Sequence, residues 1–280
     1  MTGVSAASPE AFEIPCADGL FIRGEAYPAE SPLGSVIICH GFKGFAHWAF
    51  FPYLARSLAE GGLTAITFDF SGSGIGADRE SFSQPDAFGG NTFSKELEDI
   101  ENVVDYARRK KFINGKFGVF GHSRGGAMAI LYAAGQESEV KALVTWAAIG
   151  RTTWWTPEEA VIWRQRGYAD VTNSRTGQVI RLGTDLLDDV EMHGNTKLNI
   201  AAAAAKIKVP WLIVHGTGDE TVRSTDAERL HELSLGVSTL RLIEGANHGF
   251  DAKHPLSEAP PVLEKVVLET VKFFVRNATP

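Results

Sequence analysis

Lys116-Phe117-Gly118-Val119-Phe120-Gly121-His122-Ser123-Arg124-Gly125-Gly126-Ala127-Met128-Ala129-Ile130 is the stretch that decides the fold. Lys116 to Phe120 reads as a short buried strand, and Gly125 to Gly135 as a helix of small residues. Between them lies Gly121-His122-Ser123-Arg124-Gly125, a G-x-S-x-G sequence in the setting that makes it a nucleophile elbow. A turn this sharp strains the serine backbone and holds its hydroxyl out at the carboxyl end of the strand. Residues two places either side must be tiny, or strand and helix could not approach. The helix N-terminus then favours negative charge beside the serine.

Strands and helices alternate outward from this point. Ala11 to Pro15 and Leu20 to Tyr27 flank Ala17-Asp18-Gly19, a hairpin signal. Ser35 to His40 and Leu63 to Phe70 are expected strands, with a helix from Trp48 to Gly61 between them. Phe93, Leu97, Ile100, Val104 and Ala107 form the apolar stripe of a helix over Phe93 to Lys111. Strands follow at Val140 to Ala148, Val209 to His215 and Thr239 to Glu244, with helices at Ser224 to Leu235 and Pro260 to Arg276. This alternation predicts an α/β fold, a mostly parallel sheet with helices on both faces.

The interval 150–208 is too long for a simple crossover. It contains Trp154, Trp155 and Trp163, an expected helix from Pro157 to Gly167 and an expected hairpin around Asn173 to Gln178. The Ala201 to Ala205 run reads as part of a helix. Long insertions in compact α/β domains often cover active sites, so 150–208 is expected to be a cap or lid within a single domain spanning 1–280.

A serine nucleophile needs a base, and the base needs an orienting carboxylate. Asp219 stands just beyond the strand that ends at His215, and His248 just after the last strand, in Asn247-His248-Gly249. Both fall at strand carboxyl ends, where open α/β sheets hold ligands. Ser123, Asp219 and His248 are therefore the expected catalytic residues. Asp251, Glu220 and Asp226 are weaker acids for the role, and His122, His215 and His40 read as structural histidines. The oxyanion donors are expected to be the backbone N–H groups of Arg124 and of Phe42, in Cys39-His40-Gly41-Phe42-Lys43-Gly44. Trp146, Trp154 and Trp155 cluster near the start of the insertion and are expected to line a substrate pocket. Lys43 and Arg124 could place positive charge at its mouth. Asp69 reads as a loop organiser. Gly72, Gly74 and Gly76 lack the spacing of a phosphate cradle.

Together, His40-Gly41-Phe42, the elbow at Ser123, and the His215-Gly216-x-x-Asp219 and Asn247-His248-Gly249 pair resemble the α/β-hydrolase superfamily over nearly the whole chain. Within it the chain is similar to bacterial cinnamoyl and feruloyl esterases and to dienelactone-hydrolase-like proteins. The resemblance implies an eight-stranded sheet, a Phe42 oxyanion donor and an insertion after the sixth strand. Dienelactone hydrolases use a cysteine nucleophile, and Ser123 departs from that. The expected activity is a serine carboxylesterase acting on small to medium acyl groups, aromatic ones included. The alternatives are a peptidase, amidase or thioesterase with the same triad, and a ligand-binding protein on the same fold.

Composition narrows the partners. The chain has 280 residues, 44% hydrophobic and 22% charged, with 27 basic and 34 acidic side chains and a net charge of −7. The acidic balance argues against a nucleic-acid partner. Two cysteines, Cys16 and Cys39, make no disulfide framework or zinc motif, so neither metal nor redox cofactor is expected. No apolar run is long enough for a membrane span, and Met1 to Glu10 does not read as a secretory leader. The expectation is a cytoplasmic enzyme with a small-molecule ester substrate. The sequence leaves room for a homodimer.

Overall fold

The computed structural model describes residues 8–173 and 177–278. In chain order its strands are β1 (Glu10–Pro15), β2 (Phe21–Tyr27), β3 (Gly34–Cys39), β4 (Leu63–Asp69), β5 (Phe117–His122), β6 (Val140–Trp146), β7 (Tyr168–Thr172), β8 (Val179–Gly183), β9 (Trp211–Gly216) and β10 (Ser238–Ile243). Its helices are α1 (Phe50–Glu60), α2 (Pro85–Gly89), α3 (Phe93–Arg109), α4 (Arg124–Gly135), α5 (Pro157–Arg166), α6 (Asp185–His193), α7 (Ile200–Ala204), α8 (Ser224–Leu233) and α9 (Pro261–Ala278).

Eight strands form one sheet in the order β1-β2-β4-β3-β5-β6-β9-β10. The two pairings made by β2 are antiparallel and the others are parallel. The first hairpin closes as its Asp-Gly turn requires: Asp18 Oδ1 accepts the Leu20 N–H at 3.0 Å, and Gly19 takes φ +82°. Alternate residues of each central strand supply opposite faces. Along β3, Val36 and Ile38 pack with α1 and α9, whereas Ile37 and Cys39 pack with α3 and α4. Cys39 is thus a small, fully buried core residue.

The amphipathic stripe of α3 is buried at Phe93, Ile100, Val104 and Ala107, and Thr92 caps the helix by accepting the Lys95 N–H at 3.1 Å. The same face also buries two carboxylates, Glu96 and Asp99.

Residues 150–208 hold α5, the antiparallel pair β7–β8, α6 and α7. The expected α5 begins with a Thr156–Glu159 capping box and ends at Gly167, with φ +77°. The expected hairpin is present in its strands, but residues 174–176 of its turn lie outside the described residues. Sequence reading did not find α2 or α6. α2 is a single turn, and the apolar residues of α6, Leu186, Leu187 and Val190, are too few to set a period. The insertion is docked rather than splayed. Trp163, Ile180, Leu182, Leu186 and Leu187 join the core that includes α3 and α4, and the Trp163 indole N–H donates to the Leu182 carbonyl at 3.0 Å.

Candidate active site

Three glycines permit the turn between β5 and α4. A Cβ on Gly121 would lie 2.1 Å from the Gly125 carbonyl oxygen, and one on Gly125 would lie 2.3 Å from that of His40. A Cβ on Gly126 would lie 2.6 Å from Ala148 Cβ. Ser123 sits between them at φ 56°, ψ −123°, a strained conformation for a residue with a side chain. Its N–H donates to the Trp146 carbonyl at 2.9 Å, which ties the elbow to the end of β6.

The loop after β3 lies against this serine. A Cβ on Gly41 would stand 2.9 Å from Ser123 Cβ and 3.4 Å from its hydroxyl, so only glycine lets the loop come so near. His40 fixes the loop, as its position implied. Its Nε2 accepts the Phe70 N–H at 3.1 Å, which leaves the proton on Nδ1 to donate to the Gly41 carbonyl at 2.8 Å. Asp69 braces the far side by accepting the Ala46 N–H at 2.6 Å, and burial pushes its carboxyl up to about 6.

Asp219 follows β9 and is the most heavily bonded carboxylate of the site. Oδ1 accepts the N–H groups of Thr221 and Val222 at 2.8 and 2.9 Å. Oδ2 faces His248 Nδ1 at 2.7 Å and His215 Nε2 at 3.2 Å. Burial raises the carboxyl, but the hydrogen bonds from His215 and His248 outweigh it and hold Asp219 well below the usual carboxylate range. Close backbone approach brings acid and histidine together. A Cβ on Gly216 would lie 2.1 Å from the Ala246 carbonyl oxygen, and one on Gly218 would lie 2.7 Å from that of Gly245.

His248 therefore presents Nδ1 to the acid. Its carbonyl faces His122 Nε2 at 2.8 Å, so the residue before Ser123 is bonded to the residue that carries the candidate base. Burial, then the neighbouring His248, depress His122 to about 3, and it stays neutral. The Asp251 carboxylate accepts from the Asn247 amide at 2.7 Å, whereas the His248 ring faces Asp219. Asp226 instead accepts the Gly150 N–H at 3.0 Å and pins the start of the insertion.

Two expected site residues need correction. Trp146 is not a pocket residue. It is fully buried, packed on Phe50, Phe120 and Phe250, with its indole N–H donating to Thr270 Oγ1 at 3.0 Å. It ends a central strand facing α1 and α9, and burying so large a ring there gains more than exposing it. The Arg124 side chain does not reach the mouth either: it is buried, with Nε donating to Glu96 Oε2 at 3.0 Å. Lys43 reaches instead to the Thr172 carbonyl at 3.0 Å, joining the loop after β3 to β7.

Trp154 stands next to the loop after β3 and packs on Trp155. The Trp154 ring lies 5.6 Å from that of Phe42 and 4.7 Å from that of Trp155. With Trp163 and Tyr168 they line a cleft of about 320 Å³ on the insertion. A larger hollow, about 850 Å³, lies between the β1–β2 turn, α3, α4 and α7, and neither space is lined by Ser123, Asp219 or His248. The chemistry, not the size, marks the site. Sequence reading missed the second donor on Asp219, His215, and the buried Glu96. A charge among the apolar residues of the α3 stripe was the available signal for Glu96.

Among the described residues no cluster of His, Cys, Asp and Glu could hold a metal ion, and no helix is long and apolar enough to cross a membrane.

The sequence matches the family model for the alpha/beta hydrolase fold over residues 34–171. It is 32% identical over 111 residues to an uncharacterised 31.7 kDa protein of Escherichia coli from the traX-finO intergenic region. That match spans 39% of this chain and only 35% of the relative. Among solved structures, Est1E from Butyrivibrio proteoclasticus with ferulic acid bound is 24% identical, with a TM-score of 0.70 over 95% of this chain and 99% of that one. A putative hydrolase from Agrobacterium vitis is 20% identical, with a TM-score of 0.75 over 96% of this chain and 100% of that one. The chain has the α/β-hydrolase fold.

Proposed function

We propose that the chain is a serine carboxylesterase. The observation that carries this reading is the buried Asp219 carboxylate, which accepts from Thr221, Val222 and His248, together with the bond from the His248 backbone to the residue preceding Ser123. In the proposed reaction His248 takes the Ser123 proton through Nε2 as the hydroxyl oxygen attacks the ester carbonyl. Asp219 orients the ring and stabilises the imidazolium. The Phe42 and Arg124 N–H groups receive the oxyanion, and the alcohol leaves with the proton from His248. Water then repeats the sequence on the acyl-enzyme.

The acyl group is proposed to be small to medium and to include aromatic acids held at Trp154 and Trp155, with residues 150–208 as the lid. The half-exposed Trp154 ring beside Phe42 supports this reading, as does the fold shared with a protein solved with ferulic acid.

The test is an acyl-length series of p-nitrophenyl esters, with methyl cinnamate and methyl ferulate, run beside Ser123→Ala. Turnover that peaks at one acyl size and falls by several orders of magnitude in the variant is expected. Comparable turnover by the variant would sink the assignment of Ser123. Amide or thioester turnover equal to ester turnover would favour the alternative bond classes.

A further inference from the structure

The two proposed oxyanion donors belong to Phe42 and Arg124, and the side chains of these residues touch. The Arg124 guanidinium carbon lies 3.9 Å from the centre of the Phe93 ring and 5.3 Å from that of Phe42. The plate is thus packed against both rings. Only 3% of the Arg124 side chain and 5% of the Glu96 side chain meet solvent. Glu96 is anchored in turn, with Oε1 accepting from the Asn91 amide at 2.8 Å. The terminal nitrogens of Arg124 have no hydrogen-bond partner among the described residues.

A buried ion pair is a poor source of stability, since well-packed apolar residues of similar volume do as well. Donors left unmet make it poorer. The feature it does supply is a flat, charged face for the Phe42 ring, which a lysine or an aliphatic residue cannot offer. The Phe42 ring also meets Phe88 at 5.2 Å and the half-exposed Trp154 at 5.6 Å, and the Lys43 ammonium, 5.9 Å from its centre, reaches on to the Thr172 carbonyl without a flat face to offer.

We infer that the Arg124 side chain, seated by Glu96, is a positioning residue that holds Phe42 so that the backbone N–H groups of Phe42 and Arg124 converge on one oxygen. The inference rests on the esterase reading for its catalytic meaning, but the seating of Phe42 can be tested apart from turnover.

The main variant is Arg124→Met with Glu96→Leu, which removes both charges together and leaves neither partner unpaired. Three quantities are read: kcat and KM on p-nitrophenyl butyrate, the rate of covalent labelling by a fluorophosphonate, and hydrogen exchange at the Phe42 amide. The melting temperature is expected to hold or rise. kcat should fall about 10- to 100-fold, less than or equal to the loss of one whole donor, with KM changed less than threefold. Labelling should slow by the same factor, and the Phe42 amide should exchange at least tenfold faster.

Arg124→Lys should not restore kcat, because an ammonium cannot stack as the guanidinium does. Phe42→Leu retains the N–H and should show the same loss, and combining it with Arg124→Met should add little, since both remove one contact. Should the double variant not fold, Phe42→Leu reads the same contact without touching a charge. A folded double variant with wild-type kcat and wild-type exchange at Phe42 overturns the inference, as do losses that multiply in the combined variant. A wild type that neither hydrolyses esters nor labels at Ser123 refutes the esterase reading instead. Amide exchange then decides the seating of Phe42 alone.

Discussion

Replacing Asp219 by asparagine tests the site more sharply than removing it. The carboxylate meets N–H groups at every contact: two backbone donors on Oδ1 at 2.8 and 2.9 Å, His248 on Oδ2 at 2.7 Å, and at 3.2 Å the His215 N–H, which is shared with the Val222 carbonyl at 2.9 Å. An asparagine must turn its amino group toward one of these pairs. Facing the fixed backbone donors would leave two buried N–H groups unmet, at about 1–3 kcal/mol each. The oxygen therefore stays with Thr221 and Val222, and the amino group meets His248. The imidazole must then accept at Nδ1, which moves its own proton to Nε2, on the side that should accept from Ser123. Such a tautomer trap in a Ser–His–Asp site costs about 10⁴-fold in kcat, equivalent to about 5.5 kcal/mol of barrier. The second amino hydrogen also opposes the His215 N–H, so stability should fall by about 1–3 kcal/mol. Initial rates on p-nitrophenyl butyrate and a thermal melt measure both effects. An Asp219→Asn enzyme within tenfold of wild type would refute the assignment of Asp219 as the orienting acid.

Gly41→Ala puts a methyl carbon 2.9 Å from Ser123 Cβ and 3.1 Å from the His122 carbonyl oxygen. The loop must retreat, taking the Phe42 N–H with it, and kcat should drop by about 10²-fold; unchanged kcat would show that this loop does not set the reaction geometry. Asp99 accepts the N–H and hydroxyl of Ser71, but burial outweighs these bonds and, with the nearby Glu96 charge, raises its carboxyl to about 7. The folded state then keeps a proton that the unfolded state has lost. Stability should fall as pH rises from about 4 to about 7, by a few kcal/mol, and this slope should flatten in Asp99→Asn; equal urea midpoints across that range in both proteins would contradict it. Trp154→Ala should leave the melting temperature within about a degree, because the ring is half exposed, and should raise KM several-fold for methyl ferulate but not for p-nitrophenyl acetate. Equal changes on both substrates would count against an aromatic subsite.

What the sequence made legible follows from what is locally encoded. The elbow was readable because Gly121, Gly125 and Gly126 are each required by a backbone contact shorter than a side chain allows. Gly216 and Gly218 carry the same kind of information for the approach of Asp219 to His248. Trp146 was misread because position along the chain says that it ends a strand, but not which face of the sheet its ring takes. Arg124 was misread because an arginine is normally solvent-facing, and its burial depends on Glu96, 28 residues earlier in the chain. The missed helices α2 and α6 were invisible for a simpler reason. α2 has five residues and α6 only three buried apolar ones, too few for a periodic signal, and they take shape only against the core they cover.

The insertion leaves the sheet after β6 and returns before β9, so its sequence is separate from the segments that carry Ser123, Asp219 and His248. With the proposed lid there, substrate scope and bond chemistry would be encoded in separate stretches of the chain. The separation is not complete. Ile180, Leu182, Leu186 and Leu187 also close the core over α3 and α4. A graft of another insertion would have to bring an equivalent apolar underside, or the transplanted enzyme would lose solubility before it changed its preference.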